Sequence, residues 1–207
     1  MEDALARRIQ YETAGIDIAD TDPDPYVQFE RWFADAAGDI LEANAMILST
    51  SGSDGPSARA VLLRGVDDGR FVFFTNRQSR KARDIDVEPR VSLLFPWFVL
   101  HRQVRIEGTI ETVADDVSDQ YFASRPPESR AGAIASPQSH PIESREWLEQ
   151  RVAEVLSAGD LSRPDHWGGF AVAPTSFEFW QGRANRLHDR ILYRASEAGW
   201  IRERLAP

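Results

Sequence analysis

Residues Glu178 to Arg190 read E-F-W-Q-G-R-A-N-R-L-H-D-R, and they crowd Trp180, Arg183, Arg186, His188, Asp189 and Arg190 into one short stretch. Guanidinium groups pair anionic oxygens in a fixed fork, and tryptophan offers a flat apolar face to a ring. The combination fits a pocket for something planar and anionic; it also fits an exposed basic turn after a strand. The residues on either side decide between the two. Ser176 to Gln181 and His188 to Tyr193 read as strands, so the stretch sits in a strand–loop–strand unit, followed by a further strand at Trp200 to Arg204.

Outward from there, the chain alternates between strand and helix patterns. Asp24 reads as an N-cap with Pro25 at the first helical position, and Tyr26, Phe29, Trp32 and Phe33 form a core-facing stripe that stops near Gly38. Met46–Ser51 and Ala58–Arg64 form a hairpin about the turn 52–55. Val66-Asp-Asp-Gly69 turns the chain into Phe71–Thr75. Ser79 caps a short helix that ends before Pro89, and Val91–Phe95 and His101–Val113 are strands. Asp115–Ser124, Pro126–Ala135 and Glu143–Leu156 read as helices, the last with Trp147, Leu148, Val152 and Val155 on one face; Gly169–Val172 is a strand. This is a mainly β chain with helices, an α+β fold of the barrel kind in one domain.

Composition narrows the chemistry. The 207 residues are 42% hydrophobic and 28% charged with a net charge of −9, which is globular and too acidic for a nucleic-acid partner. There is no cysteine, no apolar run of membrane-spanning length and no apolar core of a signal peptide, so a cytoplasmic enzyme is expected. The four histidines show no metal-ligand spacing, and the G-x-S-x-G elbow, the phosphate-binding loop of nucleoside triphosphatases and G-x-G-x-x-G are all missing. Lys81 is the single lysine; arginine does every other cationic job.

Three further clusters are anion-site candidates. Arg59-Ala-Val-Leu-Leu-Arg64 leads to Phe74-Thr75-Asn76 and then Ser79-Arg80-Lys81, where a helix N-terminus adds free N–H donors. In a flat strand Arg59 and Arg64 face opposite sides. Tyr121 and Arg125 share a helical face, and Ser129 follows. Ser136-Pro-Gln138-Ser139 is a polar loop that could meet a ligand's hydrogen-bonding edge. Each also fits a solvated surface when taken alone.

Taken together, the strings R-x-V-L-L-R, F-F-T-N-x-x-S-R-K, P-R-V-S-L-L-F-P-W, R-Q-V-x-x-x-G, Y-F-x-S-R-P-x-x-S, S-x-Q-S, W-G-G-F, E-F-W-Q-G-x-x-x-R-L-H-D-R and R-L-A-P run in one order from Arg59 to Pro207, within a likeness that extends back to about Arg8. In this the chain resembles the pyridoxine/pyridoxamine 5′-phosphate oxidase family. The resemblance implies a homodimeric split β-barrel with FMN at the subunit interface, as one domain over 1–207. Residues 1–24 would close the site, and 176–207 would carry dimerisation and active-site strands. It implies FMN binding by Arg59, Ala60, Val61, Leu62, Leu63, Arg64, Phe74, Thr75, Arg80, Lys81, Gln103, Gln138, Ser139, Trp180 and Arg190. The substrate, pyridoxamine or pyridoxine 5′-phosphate, would meet Arg8, Tyr11, Arg64, Tyr121, Arg125, Ser129, Arg186, Leu187 and His188, with dioxygen as oxidant and Arg186 and His188 nearest the chemistry. Arg64 stands where the family usually has lysine, and Glu42–Met46 lacks a proline common after the acidic residue. The alternatives are a phenazine-biosynthesis type of flavin oxidase, expected to lack the Tyr121, Arg125 and Ser129 set, and a non-catalytic flavin- or haem-binding barrel, expected to lack R-L-H-D-R.

Overall fold

The computed structural model describes Gln10, Tyr11 and residues 13–207. Helices among them are α1 (Pro25–Asp39), α2 (Arg80–Val87), α3 (Asp115–Ser124), α4 (Pro127–Ala135) and α5 (Arg145–Ala158). Strands are β1 (Ala45–Gly52), β2 (Gly55–Leu62), β3 (Gly65–Asp67), β4 (Arg70–Asn76), β5 (Arg90–Trp97), β6 (Arg102–Thr112), β7 (Trp167–Gln181), β8 (Asp189–Ser196) and β9 (Gly199–Leu205). They form one sheet in the order β2-β1-β5-β6-β7-β4-β3, with β8 on β7 and β9 on β8.

Local chemistry explains most boundaries. Asp24 accepts from the Tyr26 amide at 2.8 Å and Pro25 opens α1. The β3–β4 link is Asp68-Gly69, both with positive φ (47° and 69°), the two-residue turn whose twist suits a hairpin. Ser144 caps α5 by accepting from the Trp147 amide, and Gly159 ends it in the left-handed conformation at φ 77°. The face predicted for α5 is only half-buried, since no residue of that helix is fully covered.

Two expected strands are one. Gly169–Val172 and Ser176–Gln181 are parts of β7, which pairs with β4 through Val172 and with β8 from Ser176. Pro174 falls between these two ladders, where neither the β4 nor the β8 pairing asks for its missing N–H while the backbone stays extended. Of the segment 1–24 expected to close the site, Arg8 lies outside the described residues, and Ile18–Asp20 forms a single 3-10 turn.

The chain divides into two compact units. One comprises residues within 1–47, 92–107 and 174–207; the other 48–91 and 108–173. The first has an aromatic core in which Phe29 meets Phe95 at 5.0 Å, Trp32 meets Phe179 at 5.3 Å, and Phe179 meets Tyr193 at 5.4 Å. The α1 stripe therefore packs inward through Phe29 and Trp32, each buried ring stabilising the fold by about 2 kcal/mol or more. The second buries Phe71, Phe73, Phe170 and Val172 from its strands, Phe122 from α3 and Ala131 from α4, with Phe73 stacked on Phe170 at 5.8 Å.

Candidate functional site

The second unit holds a cavity of about 740 Å³, the size of a small-ligand site. Strand β2 supplies Arg59, Ala60, Val61 and Leu62; β4 supplies Phe74, Thr75 and Asn76; and α2 opens on it with Arg80 and Lys81. Tyr121, Arg125 and Ser129 come from α3, its C-cap and α4, and Gln138 and Ser139 from the loop beyond.

Arg59 and Arg64 line this same cavity, so strand alternation does not separate them. The reason is that β2 stops at Leu62: the chain turns, the Arg64 amide bonds the Val72 carbonyl at 2.8 Å, and period-two parity no longer applies.

The lining cations fall into two clusters. Lys81 is 8% exposed, and its Nζ donates to Thr75 Oγ1 (3.2 Å), Ser79 Oγ (3.1 Å) and Gln138 Oε1 (3.0 Å). Ser79 sits at the N-cap as expected, but its hydroxyl serves Lys81 and the Asn76 carbonyl instead of the helix. Burial, with the charge of Arg59 adding to it, lowers the Lys81 ammonium from 10.5 to about 8. Arg59 donates to Thr50 Oγ1 at 2.7 Å, and Arg80 lies one helical turn before Asp84.

The other cluster is built on rings. Phe74 stacks on Tyr121 (4.0 Å, 15°) and on Trp167 (5.6 Å, 10°). The Arg64 guanidinium lies 5.7 Å from the Tyr121 ring centre and that of Arg125 4.9 Å from Trp167. Burial lowers the Arg125 pKa; neighbouring Tyr121 opposes that and Arg64 adds to it. Arg80 Nε and Arg125 Nη1 are buried with no hydrogen-bond partner among the described residues. Such a surplus of donors in both clusters suits a ligand with anionic oxygens.

Leu63 is buried and does not line the cavity. Gln103, Trp180, Arg186, Leu187, His188, Arg190 and Tyr11 belong to the other unit, and Arg8 lies outside the described residues. Trp167, Asn76 and Ser136 also line it; Asn76 and Ser136 stand in the candidate clusters without being named as binding residues, and the W-G-G-F string was the available signal for Trp167.

In the first unit, Glu178–Arg190 is the β7–β8 hairpin, with Trp180 opposite Arg190. Glu178, 6% exposed, accepts from Arg190 Nε at 2.7 Å and from Arg105. Burial works to raise the Glu178 pKa, and the two guanidinium hydrogen bonds outweigh it, leaving the carboxyl below its ordinary value. Between the strands, Asn185 and Arg186 both hold left-handed backbone (φ 55° and 64°), strain that presents an exposed Arg186 at the loop tip.

His188 lies in the loop, not in β8, and packs 4.6 Å from Trp180. Its Nδ1 accepts from the Arg183 amide at 3.1 Å, which leaves the ring proton on Nε2. Burial and then Arg186 push its pKa down, against Asp189. Tyr11 packs on His101 (4.4 Å) and His188 (5.8 Å) over Gly182, where a Cβ would come within 2.7 Å of the Tyr11 ring. Ile16 N on Asp189, and Arg183 on the Ala14 carbonyl, tie the same segment down.

Fold and cavity define the class as a mainly β, split-barrel α+β protein with a cation-lined pocket. Residues 33–158 match the family described as pyridoxamine 5′-phosphate oxidase, and 167–207 match the pyridoxine 5′-phosphate oxidase C-terminal dimerisation region. The chain belongs to the pyridoxamine 5′-phosphate oxidase family. It is 54% identical to a pyridoxine/pyridoxamine 5′-phosphate oxidase of Burkholderia cenocepacia, over 97% of both chains. It is 52% identical to the protein of the same name from Rubrobacter xylanophilus, over 99% of this chain and 97% of that one. Among solved structures, PhzG from Burkholderia lata 383, in complex with tetrahydrophenazine-1-carboxylic acid, is 29% identical with a TM-score of 0.88, covering 96% of this chain and all of that one. Among the described residues, no helix is long and apolar enough to cross a membrane.

Proposed function

We propose that this chain oxidises pyridoxamine 5′-phosphate or pyridoxine 5′-phosphate to pyridoxal 5′-phosphate in the cytoplasm, with FMN as cofactor and dioxygen as oxidant, releasing hydrogen peroxide. Residues 1–207 act as one flavin-binding domain, with 1–24 closing the site and 176–207 carrying dimerisation and active-site strands. The observation that carries the reading is the pair of cation clusters in one cavity, one for each phosphate monoester. Full-length relatives of that name and the matched dimerisation region support the activity and the homodimer.

FMN, when bound, would supply the two-electron redox chemistry between substrate C4′ and dioxygen; the amine or alcohol loses a proton, and in the amine case water hydrolyses the resulting substrate imine and ammonia leaves. The residues of this chain bind and orient. Arg59, Arg80 and Lys81 hold the cofactor phosphate, with Thr75, Gln138 and Ser139 around it. Arg64, Tyr121, Arg125 and Ser129 hold the substrate phosphate. Arg186 orients the substrate and steadies charge near C4′; His188, neutral with its proton on Nε2, donates a hydrogen bond beside it. Gln103, Trp180 and Arg190 contact the flavin, and Arg8, Tyr11 and Leu187 cover the substrate. The Tyr121, Arg125 and Ser129 set favours a B6 phosphate over a phenazine precursor.

The test is an absorbance spectrum of the purified protein, then anaerobic addition of pyridoxamine 5′-phosphate. Flavin absorbance that bleaches, and peroxide on admitting air, are expected; a yellow protein giving no peroxide with either B6 phosphate would leave only a binding module. Arg186→Gln should lower kcat/KM by about a hundredfold at unchanged FMN content, and unchanged turnover would remove Arg186 from the mechanism.

A further inference from the structure

Asp84 sits on α2 one turn after Arg80 and is 6% exposed. Its carboxylate accepts from the Thr50 hydroxyl at 2.7 Å and lies 3.7 Å from Arg59 Nη2 and 3.9 Å from Arg80 Nε. Gly52 leaves room for it on the other side, since a Cβ there would stand 2.4 Å from Asp84 Oδ1. A buried carboxylate is costly without cationic partners, and its two ion pairs among the described residues are both with arginines that line the cavity. Lys81, by contrast, bonds three neutral oxygens.

Thr50 transmits the same constraint. By donating to Asp84 its hydroxyl turns a lone pair to Arg59, which donates to it at 2.7 Å and to the Leu48 carbonyl at 3.2 Å. Without the carboxylate, the acceptor left to the hydroxyl among the described residues is the Ser57 carbonyl, 3.5 Å away.

We propose that Asp84 is a positioning residue for the cofactor phosphate, fixing Arg59 and Arg80 so that their unshared N–H groups stay turned to the cavity. This rests on the flavin reading above. Apoprotein titrated with FMN and, separately, with riboflavin reads out the phosphate's share of the affinity. Asp84→Asn keeps the volume and an acceptor for Thr50 while removing the charge. It should weaken FMN by about tenfold while riboflavin stays within about twofold. FMN affinity unchanged or raised, or both flavins weakened alike as a packing defect would do, overturns the proposal. Should the asparagine variant fail to fold, Thr50→Val carries the test, with a loss of about threefold confined to FMN; no such loss overturns it equally. A wild type that prefers FMN no more than riboflavin would sink the flavin reading itself, a failure visible before any variant is made.

Discussion

The two cation clusters of the cavity are held by different physics. Lys81 and Arg59 are fixed by oxygens, several of them buried, and Asp84 adds a carboxylate. Arg64 and Arg125 lie over the rings of Tyr121 and Trp167, which with Phe74 form a trio of near-parallel rings whose centres are 4.0 to 6.1 Å apart. Oxygens fix a cation's position but occupy its donors; a ring fixes the plane of a guanidinium and leaves its N–H groups free. The first arrangement suits a ligand that stays, the second one that exchanges. Under the proposed function these are the cofactor and the substrate, and the division of labour can be broken experimentally.

Lys81→Met gives the largest expected effect. Removing a buried ammonium from a phosphate site costs about 3 kcal/mol, roughly a hundredfold in FMN affinity, measurable by flavin fluorescence on reconstitution. With FMN supplied in excess, KM for pyridoxine 5′-phosphate should stay within about twofold. Arg125→Gln should do the reverse: KM up by about thirtyfold, about 2 kcal/mol, with FMN affinity unchanged. If either variant weakens both ligands alike, the clusters act as one site and the distinction fails.

The acid–base behaviour of Lys81 sharpens the same contrast. Its ammonium ionises near 8 in the folded apoprotein against 10.5 when free. Between those values the unfolded chain binds more protons, so apoprotein stability gains from this group as pH rises, and loses that gain as pH falls back through about 8. FMN binding responds with the opposite sign. A phosphate already dianionic above pH 7 stabilises the ammonium, so binding takes up a proton and affinity falls by up to about tenfold per pH unit above about 8. Titrations at pH 7, 8 and 9 with parallel melts would show the two trends crossing; a flat FMN affinity would mean that Lys81 does not face the phosphate. The cluster on rings has no comparable group, so KM should vary less over that range.

How much of this was legible in the sequence depended on whether a residue's role is local. The β3–β4 turn at Asp68-Gly69, the Asp24 cap and the core stripe through Phe29 and Trp32 follow from neighbouring residues, and the structure has them. Arg59 and Arg64 were misplaced by strand parity because the end of β2 is set by the Arg64–Val72 backbone bond, a long-range contact. Asp84 and Trp167 act through partners 34 and 42 residues away, Thr50 and Arg125, and such pairings leave no periodic trace. The cation clusters, by contrast, announced themselves through crowding, and 14 of the expected binding residues line one cavity.

Arg64 offers the smallest and most discriminating test, because it stands where the family usually has lysine. A lysine there would carry the same charge but has no planar guanidinium to set over Tyr121, and its four-carbon stem would have to be ordered again with each substrate. Arg64→Lys should therefore raise KM for pyridoxine 5′-phosphate by about twofold to threefold, with kcat and FMN affinity unchanged. Tyr121→Phe keeps the ring and removes only the hydroxyl, so the Arg64→Lys change should have the same effect in that background. Tyr121→Ala removes the surface that distinguishes the two cations, and the difference between arginine and lysine should vanish. If it persists without the ring, the guanidinium is selected for its paired donors and stacking is incidental.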